Sequence, residues 1–139
     1  AKALDYVKEH CSFFKILGLG PEETVAGLES FQPVYGRGKP VLLPGGIRVL
    51  DDSYNSNPDS LRATLTAFAE MKGGSPGVAV LADMLEIGPS SPADHEEAGK
   101  RIGSMGLAPL FVTGEAARRI AKGAREAGME AMVMTVPCF

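Results

Sequence analysis

Hydrophobic positions along the chain fall into two periods. Short apolar runs, Val41-Leu42-Leu43, Ile47 to Leu50, Val78 to Ala82, Leu110 to Thr113 and Ala131 to Val136, alternate with stretches at 58–71, 92–105 and 115–127 whose apolar residues recur at helical spacing. The first two runs flank Pro44-Gly45-Gly46, which is turn chemistry, and predict a β-hairpin. From there strand and helix alternate. That order predicts repeated β-α units with right-handed crossovers, hence an α/β, Rossmann-like, mainly parallel sheet with an N-terminal hairpin. Val78 to Ala82 is apolar throughout, the pattern of a strand covered on both faces.

The first third reads differently. Residues 1–17 have mixed helical character, Gly18-Leu19-Gly20-Pro21 interrupts it, and Pro21-Glu22-Glu23 opens a short helix ending near Ser30. Pro33, Gly36, Gly38 and Pro40 then break any periodicity, so 32–40 is a linker. The expected organisation is a short helical segment at 1–33 and an α/β domain at 34–139. The chain stops at Phe139 directly after a strand, without the helix that should cover it, which reads as a piece of a longer protein.

Composition adds exclusions. With 139 residues, 45% of them hydrophobic, the chain suffices for one core of ordinary size. A net charge of -3, a pI near 5.4 and basic residues scattered singly argue against nucleic acid or an anionic membrane as partner, leaving small molecules or protein. No apolar run approaches the roughly 18 residues of a membrane span, and the charged start, AKALDYVKEH, is not a secretory signal. Cys11 and Cys138 lie far apart without a C-x-x-C pattern or a histidine partner, so reduced thiols and a cytoplasmic address are expected.

The chemistry concentrates in Asp51 to Ser60, DDSYNSNPDS, where a strand passes into a helix. Open α/β sheets bind ligands at such carboxyl ends. Asn57 as cap, Pro58 at the first helical position and Asp59 at the positive end of the helix dipole explain themselves as a helix start. Asp51, Asp52, Tyr54 and Asn55 are not needed for capping, and they are the candidate functional residues. No G-x-x-x-x-G-K-[ST] loop occurs, and Gly18-Leu19-Gly20-Pro21 fails as a dinucleotide fingerprint. The chain can therefore supply one wall of a nucleotide site but cannot cradle a triphosphate by itself.

DDSYNSNPDSLRATL resembles the junction that opens the C-terminal domain of the Mur ligases of peptidoglycan synthesis, in its D-alanyl-D-alanine-adding branch. Three further segments agree in order: Phe31-Gln32-Pro33-Val34-Tyr35-Gly36-Arg37 is similar to the family's F-x-P-x-x-G-R hinge, Ala82-Asp83-Met84-Leu85-Glu86-Ile87-Gly88 to its G-D-M-x-E-L-G segment, and His95 with Gly99 to its H-x-x-x-G element. Two positions depart from the pattern. Gly38-Lys39-Pro40 replaces the usual hydrophobic and acidic pair after G-R, and Ala82 stands in place of a glycine.

The resemblance implies that residues 1–33 are the tail of a central ATPase domain that holds the phosphates and Mg²⁺, and that residues 34–139 swing in to close over the nucleoside. It maps Asp52 onto the acid that binds the ribose hydroxyls, against the alternative of a turn-capping carboxylate. Arg37 maps onto the arginine that reaches the nucleotide on closure, against a solvated linker charge. Tyr54 and Asn55 would flank adenine or peptide, and Asp51 would be structural. Asn57, Asp83, Glu86 and His95 are weaker substrate-binding candidates. For Asp83 and Glu86 turn formation and helix capping compete with that role, and for His95 a satisfied position in the first helical turn. Asp83 and Glu86 are expected on the same sheet edge as Asp52. No residue of this segment is expected to act as a catalytic base, and no resident metal site is expected.

The implied reaction joins D-Ala-D-Ala to UDP-MurNAc-tripeptide through an acyl-phosphate at the expense of ATP, with a K-G-S-R strand and the ATPase core supplied by the rest of the chain. Alternatives are a sister Mur ligase, folylpolyglutamate synthase, or a non-catalytic flavodoxin-like binding module.

Overall fold

The computed structural model describes residues 5, 7–9, 12, 16–129 and 133–136, the last four by backbone alone, and the chain divides into two compact units between Val34 and Tyr35. In the first unit the described residues from 5 to 16 are helical and Val7 is buried. Helix α1, Pro21–Ser30, follows. Its start is held by Glu23, whose carboxylate accepts the Gly20 N–H at 2.8 Å, and by buried Thr24, whose hydroxyl donates to the Gly20 carbonyl at 2.9 Å. The helix ends before Pro33, which disfavours helical backbone in the residue ahead of it.

The second unit begins with an antiparallel hairpin, β1 (Lys39–Leu43) and β2 (Ile47–Asp51), in which Val41 lies opposite Val49. Its turn is a short 3₁₀ segment, Pro44–Gly46. Helix α2, Pro58–Lys72, opens with reciprocal capping: the Ser60 N–H donates to Asn57 Oδ1 at 2.9 Å, and the Asn57 N–H donates to Ser60 Oγ at 3.1 Å. Then come β3 (Ala79–Leu81), α3 (Ser91–Ser104), β4 (Leu110–Thr113), α4 (Ala117–Glu126) and β5 (Val133–Val136). β3, β4 and β5 form a parallel sheet in that order, with Leu81 opposite Val112 and Val112 opposite Thr135. Helices and strands fall within a few residues of the expected places. Ala131, the expected start of the last strand, and both cysteines lie outside the described residues.

The core gathers around β4. Ile102, Leu107, Leu110, Val112 and Ile120 have no exposure, and α2 adds Leu61 and Leu65. Each such aliphatic contributes roughly 1.5–3 kcal/mol by leaving water. α3 and α4 touch backbone to backbone: a Cβ on Gly99 would sit 2.0 Å from the Ile120 carbonyl oxygen, and one on Gly123 would sit 2.0 Å from that of Glu96. Only glycine permits that approach.

One expectation fails. The apolar run at 78–82 is not covered on both faces: Ala79 is buried, but Val80 is 69% exposed and Val78 50%. Among the described residues β3 is an edge of the three-stranded sheet, and β2 belongs to the separate hairpin. Between them lies a cavity of about 540 Å³, lined by Ile47 and Val49 of β2, Leu65 and Phe68 of α2, and Val80 of β3. An apolar sequence states that a strand tolerates cover on both sides, not that both covers are present.

Candidate functional site

Two groups of polar side chains form at the carboxyl ends of strands. The first is built on the β2–α2 junction. Asp51 closes β2 and turns its carboxylate back onto backbone: Oδ2 accepts the Gly36 N–H at 3.2 Å, while Oδ1 accepts the Ser53 N–H at 3.3 Å and the Ser53 hydroxyl at 2.7 Å. The Tyr54 N–H donates to the Gly36 carbonyl at 3.0 Å. Gly36 is thus held through both of its backbone groups. It is buried, has φ +73°, and a Cβ there would meet the Tyr54 backbone nitrogen at 3.1 Å, so the contact requires glycine.

This latch carries Arg37 into the junction. Its guanidinium lies over the Tyr54 ring, 4.0 Å from the centroid, a cation–π geometry. Asp52, partly buried, accepts a hydrogen bond from the Thr64 hydroxyl at Oδ2. Among the described residues Oδ1 holds no hydrogen bond, so Asp52 retains an acceptor for a ligand hydroxyl. Asn55 is exposed and its Oδ1 accepts the neighbouring Ser56 N–H at 2.9 Å. Asn57 is occupied as the cap of α2.

The second group follows β3. Asp83 Oδ1 accepts the Ala117 N–H at 2.6 Å, at the first turn of α4, where a carboxylate meets both an orphan amide and the positive end of the helix. Gly114, with φ +104°, clears the way: a Cβ there would lie 2.2 Å from Asp83 Oδ1. His95 is fully buried. Its Nε2 accepts the Met84 N–H at 2.9 Å and its Nδ1 lies 2.6 Å from the Ser91 carbonyl, so the network assigns the ring proton to Nδ1. Glu86 is exposed on the loop at φ +59°, unusual for a residue other than glycine.

The geometry therefore sorts the candidates. Arg37, Asp52, Tyr54 and Asn55 share one junction. His95 takes the alternative of a satisfied first-turn histidine: with no exposed surface and both ring nitrogens occupied, it pins the 82–87 loop to the first turn of α3. Asp83 and Asn57 are likewise engaged in holding helix starts. Asp83 and Glu86 were expected to share an edge with Asp52, but β2 and β3 lie in different sheets and the hydrogen bonds of the two groups stay separate.

Three partners escape sequence reasoning. Thr64 sits in the second turn of α2, and only its distance of four residues from Ser60 at the capped end hints that it faces the junction. Ser53 reads as loop polarity. Gly114 follows a strand end, which is a signal of close approach, but nothing in the sequence names Asp83 as what approaches.

Residues 36–137 match the family model described as Mur ligase, glutamate ligase domain. The Escherichia coli (strain K12) protein named UDP-N-acetylmuramoyl-tripeptide--D-alanyl-D-alanine ligase is 36% identical over 95 residues, covering 68% of this chain and 21% of the relative. Among solved structures, a crystal structure of MurF from Acinetobacter baumannii aligns over 91% of this chain and 31% of that one, with a TM-score of 0.66 and 26% identity. A MurF ligase from Thermotoga maritima, solved in complex with ADP, shows the same fold at a TM-score of 0.58 and 23% identity, over 91% of this chain and 32% of its own. The chain spans about a fifth of the length of the curated relatives it matches.

Proposed function

The chain belongs to the Mur ligase family, as its glutamate ligase domain, and on that premise we propose that it closes the nucleotide and peptide site of an ATP-dependent ligase that adds D-Ala-D-Ala to UDP-MurNAc-tripeptide. The observation that carries this reading is the β2–α2 junction. There Asp52 keeps an oxygen for a ribose hydroxyl, and Arg37 is drawn to the same junction by its contact with Tyr54. Both groups suit a nucleotide: a carboxylate accepts from hydroxyls and a guanidinium donates to phosphate or ribose oxygens.

Bound ATP supplies the phosphoryl group that converts the tripeptide carboxylate into an acyl-phosphate, which the dipeptide amine then attacks with loss of phosphate. Catalysis of this kind rests on positioning and on neutralising phosphoryl charge. This segment contributes orientation, water exclusion and the Arg37 cation, and no side chain in it is assigned as a base. Mg²⁺ belongs, on this reading, with the phosphates that the central ATPase domain holds. No described helix is long and apolar enough to cross a membrane, and a reaction that consumes ATP is assigned to the cytoplasm. The partners are the two peptide substrates and the remainder of the same protein. Residues 1–33 are assigned to the tail of the ATPase domain.

The dipeptide-adding reading is favoured over a sister ligase or folylpolyglutamate synthase because relatives from Bacillus, Mycobacterium and Escherichia all carry the tripeptide–dipeptide ligase name. The test is kinetic. In the longer protein that contains this segment, D52N should raise the KM for ATP by about tenfold, the worth of a hydrogen bond to a charged group, and the 139-residue chain alone should show no turnover. An unchanged KM for ATP in D52N, or turnover by the isolated segment, would overturn the proposal. A preference for a single amino acid over D-Ala-D-Ala would transfer it to a sister enzyme.

A further inference from the structure

Tyr54 is a large aromatic side chain left 70% exposed at the mouth of the junction. Core packing does not explain a ring so placed. Its partner is the Arg37 guanidinium, 4.0 Å from the ring centroid. The backbone on both sides of that contact is fixed, since Gly36 donates to Asp51 and accepts from the Tyr54 amide, and Asp51 also holds Ser53. An exposed arginine with a free stem would sample many rotamers, and a ligand would have to order it on arrival. Here the ring and the latch below it order the cation in advance.

We propose that Tyr54 is a positioning residue for Arg37, acting on the nucleotide through the guanidinium rather than by stacking on adenine. Asp51 completes the device by fixing the Gly36 backbone on which Arg37 is mounted. The inference rests on the reading of Arg37 as a nucleotide contact, and it divides the two acids: Asp51 serves the arginine, Asp52 serves the ligand. It also accounts for the tyrosine's exposure, because a guanidinium that must reach a ligand has to stay at the surface. Any ring at position 54 should suffice, whereas an adenine-stacking role would show itself with Arg37 removed.

The experiment is a double-mutant cycle read by calorimetric titration of ADP into the full-length ligase that carries this segment, with R37A, Y54A, Y54F and R37A/Y54A. R37A should lose about tenfold in ADP affinity, as expected for a charged hydrogen bond. Y54A should lose about two- to fivefold, the worth of an exposed cation–π contact, with its thermal midpoint unmoved, and Y54F should restore what Y54A loses. In the R37A background Y54A should cost nothing further. Full additivity of the two losses would overturn the inference in favour of direct stacking, and so would a Y54A that binds ADP like the unmodified protein while R37A does not. If R37A itself binds ADP unchanged, the nucleotide reading of Arg37 falls, and the inference falls with it.

Discussion

The α3–β4–α4 side of the second unit and the hairpin–β3 side are built from similar apolar residues to opposite effect. On the first side Ile102, Val112 and Ile120 have no exposure, and two helices meet through Gly99 and Gly123 with carbonyl oxygens against Cα positions. On the second, Val80 is 69% exposed, Ile47 60% and Val78 50%, around a cavity of about 540 Å³. The difference lies in what each strand has beside it. Among the described residues β4 has a hydrogen-bonded neighbour on both edges, whereas β2 and β3 each have one. Stability therefore concentrates around β4, while the residues assigned to the nucleotide stand at the end of β2, on the more open side. On the proposed function that placement is expected, since ligand-binding segments are drawn from the less stable part of a fold.

The largest effect should come from cutting the closed side and the open side in the same way. Ile120→Ala in the 139-residue chain removes a fully buried core side chain from α4, a helix already in backbone contact with α3, so collapse around the void is limited. It should cost about 2–5 kcal/mol in urea unfolding. Val80→Ala removes two methyl groups already facing water and should stay within about 0.5 kcal/mol. Equal losses at the two positions would mean that the contrast between the sides is not real.

A smaller effect should follow at the boundary between packing and site. Asp83 was a candidate for substrate, yet its carboxylate holds the Ala117 amide at the start of α4. Asp83→Ala should cost about 1 kcal/mol as a lost cap, which would show as a lower urea midpoint of the isolated chain. A loss of ligase activity in the longer protein with the urea midpoint of the isolated chain unmoved would return Asp83 to the substrate.

Much of this was legible because it is written locally. The strand runs, the Pro44-Gly45-Gly46 turn and the Asn57-Pro58-Asp59 helix start are each a few residues whose chemistry forces one conformation, and each appears where expected. The gathering of Arg37, Asp52, Tyr54 and Asn55 was foreshadowed by motif resemblance rather than by periodicity. What was not legible is pairwise and distant. Nothing local says that Asp83 finds Ala117, 34 residues on, or that Asp52 finds Thr64, 12 residues on. His95 shows the same limit: a histidine after a good helix start reads as a satisfied first-turn residue, but nothing local names the Met84 amide, 11 residues back, as one of its partners. The exposure of Val80 escaped for the complementary reason, since an apolar strand does not name its cover.

The smallest expected effect is electrostatic and belongs to the closed side. Glu96 on α3 bridges to Lys122 on α4 at 2.8 Å and to Lys100 at 3.3 Å, and Glu126 meets the same two lysines at 3.3 and 3.5 Å. The Lys122 hydrogen bond, ahead of Lys100, holds the Glu96 carboxyl below its ordinary value despite an opposing desolvation. Hydrogen bonding to Glu96 raises both Lys100 and Lys122. The signs follow. A depressed glutamate adds stability that is present above its unfolded value, about 4.3, and is lost as pH falls through the folded one. The raised lysines add stability lost only as pH rises beyond their ordinary value of about 10.4. Glu96→Gln should therefore flatten the decline in urea midpoint as pH falls from neutral to below the unfolded value of about 4.3, without altering the alkaline limb to the same degree. Salt should shrink the difference, because the four side chains are partly open to water. If Glu96→Gln and the unmodified chain lose the same stability on acidification at low salt, the ion network contributes nothing, and the closed side owes its strength to packing alone.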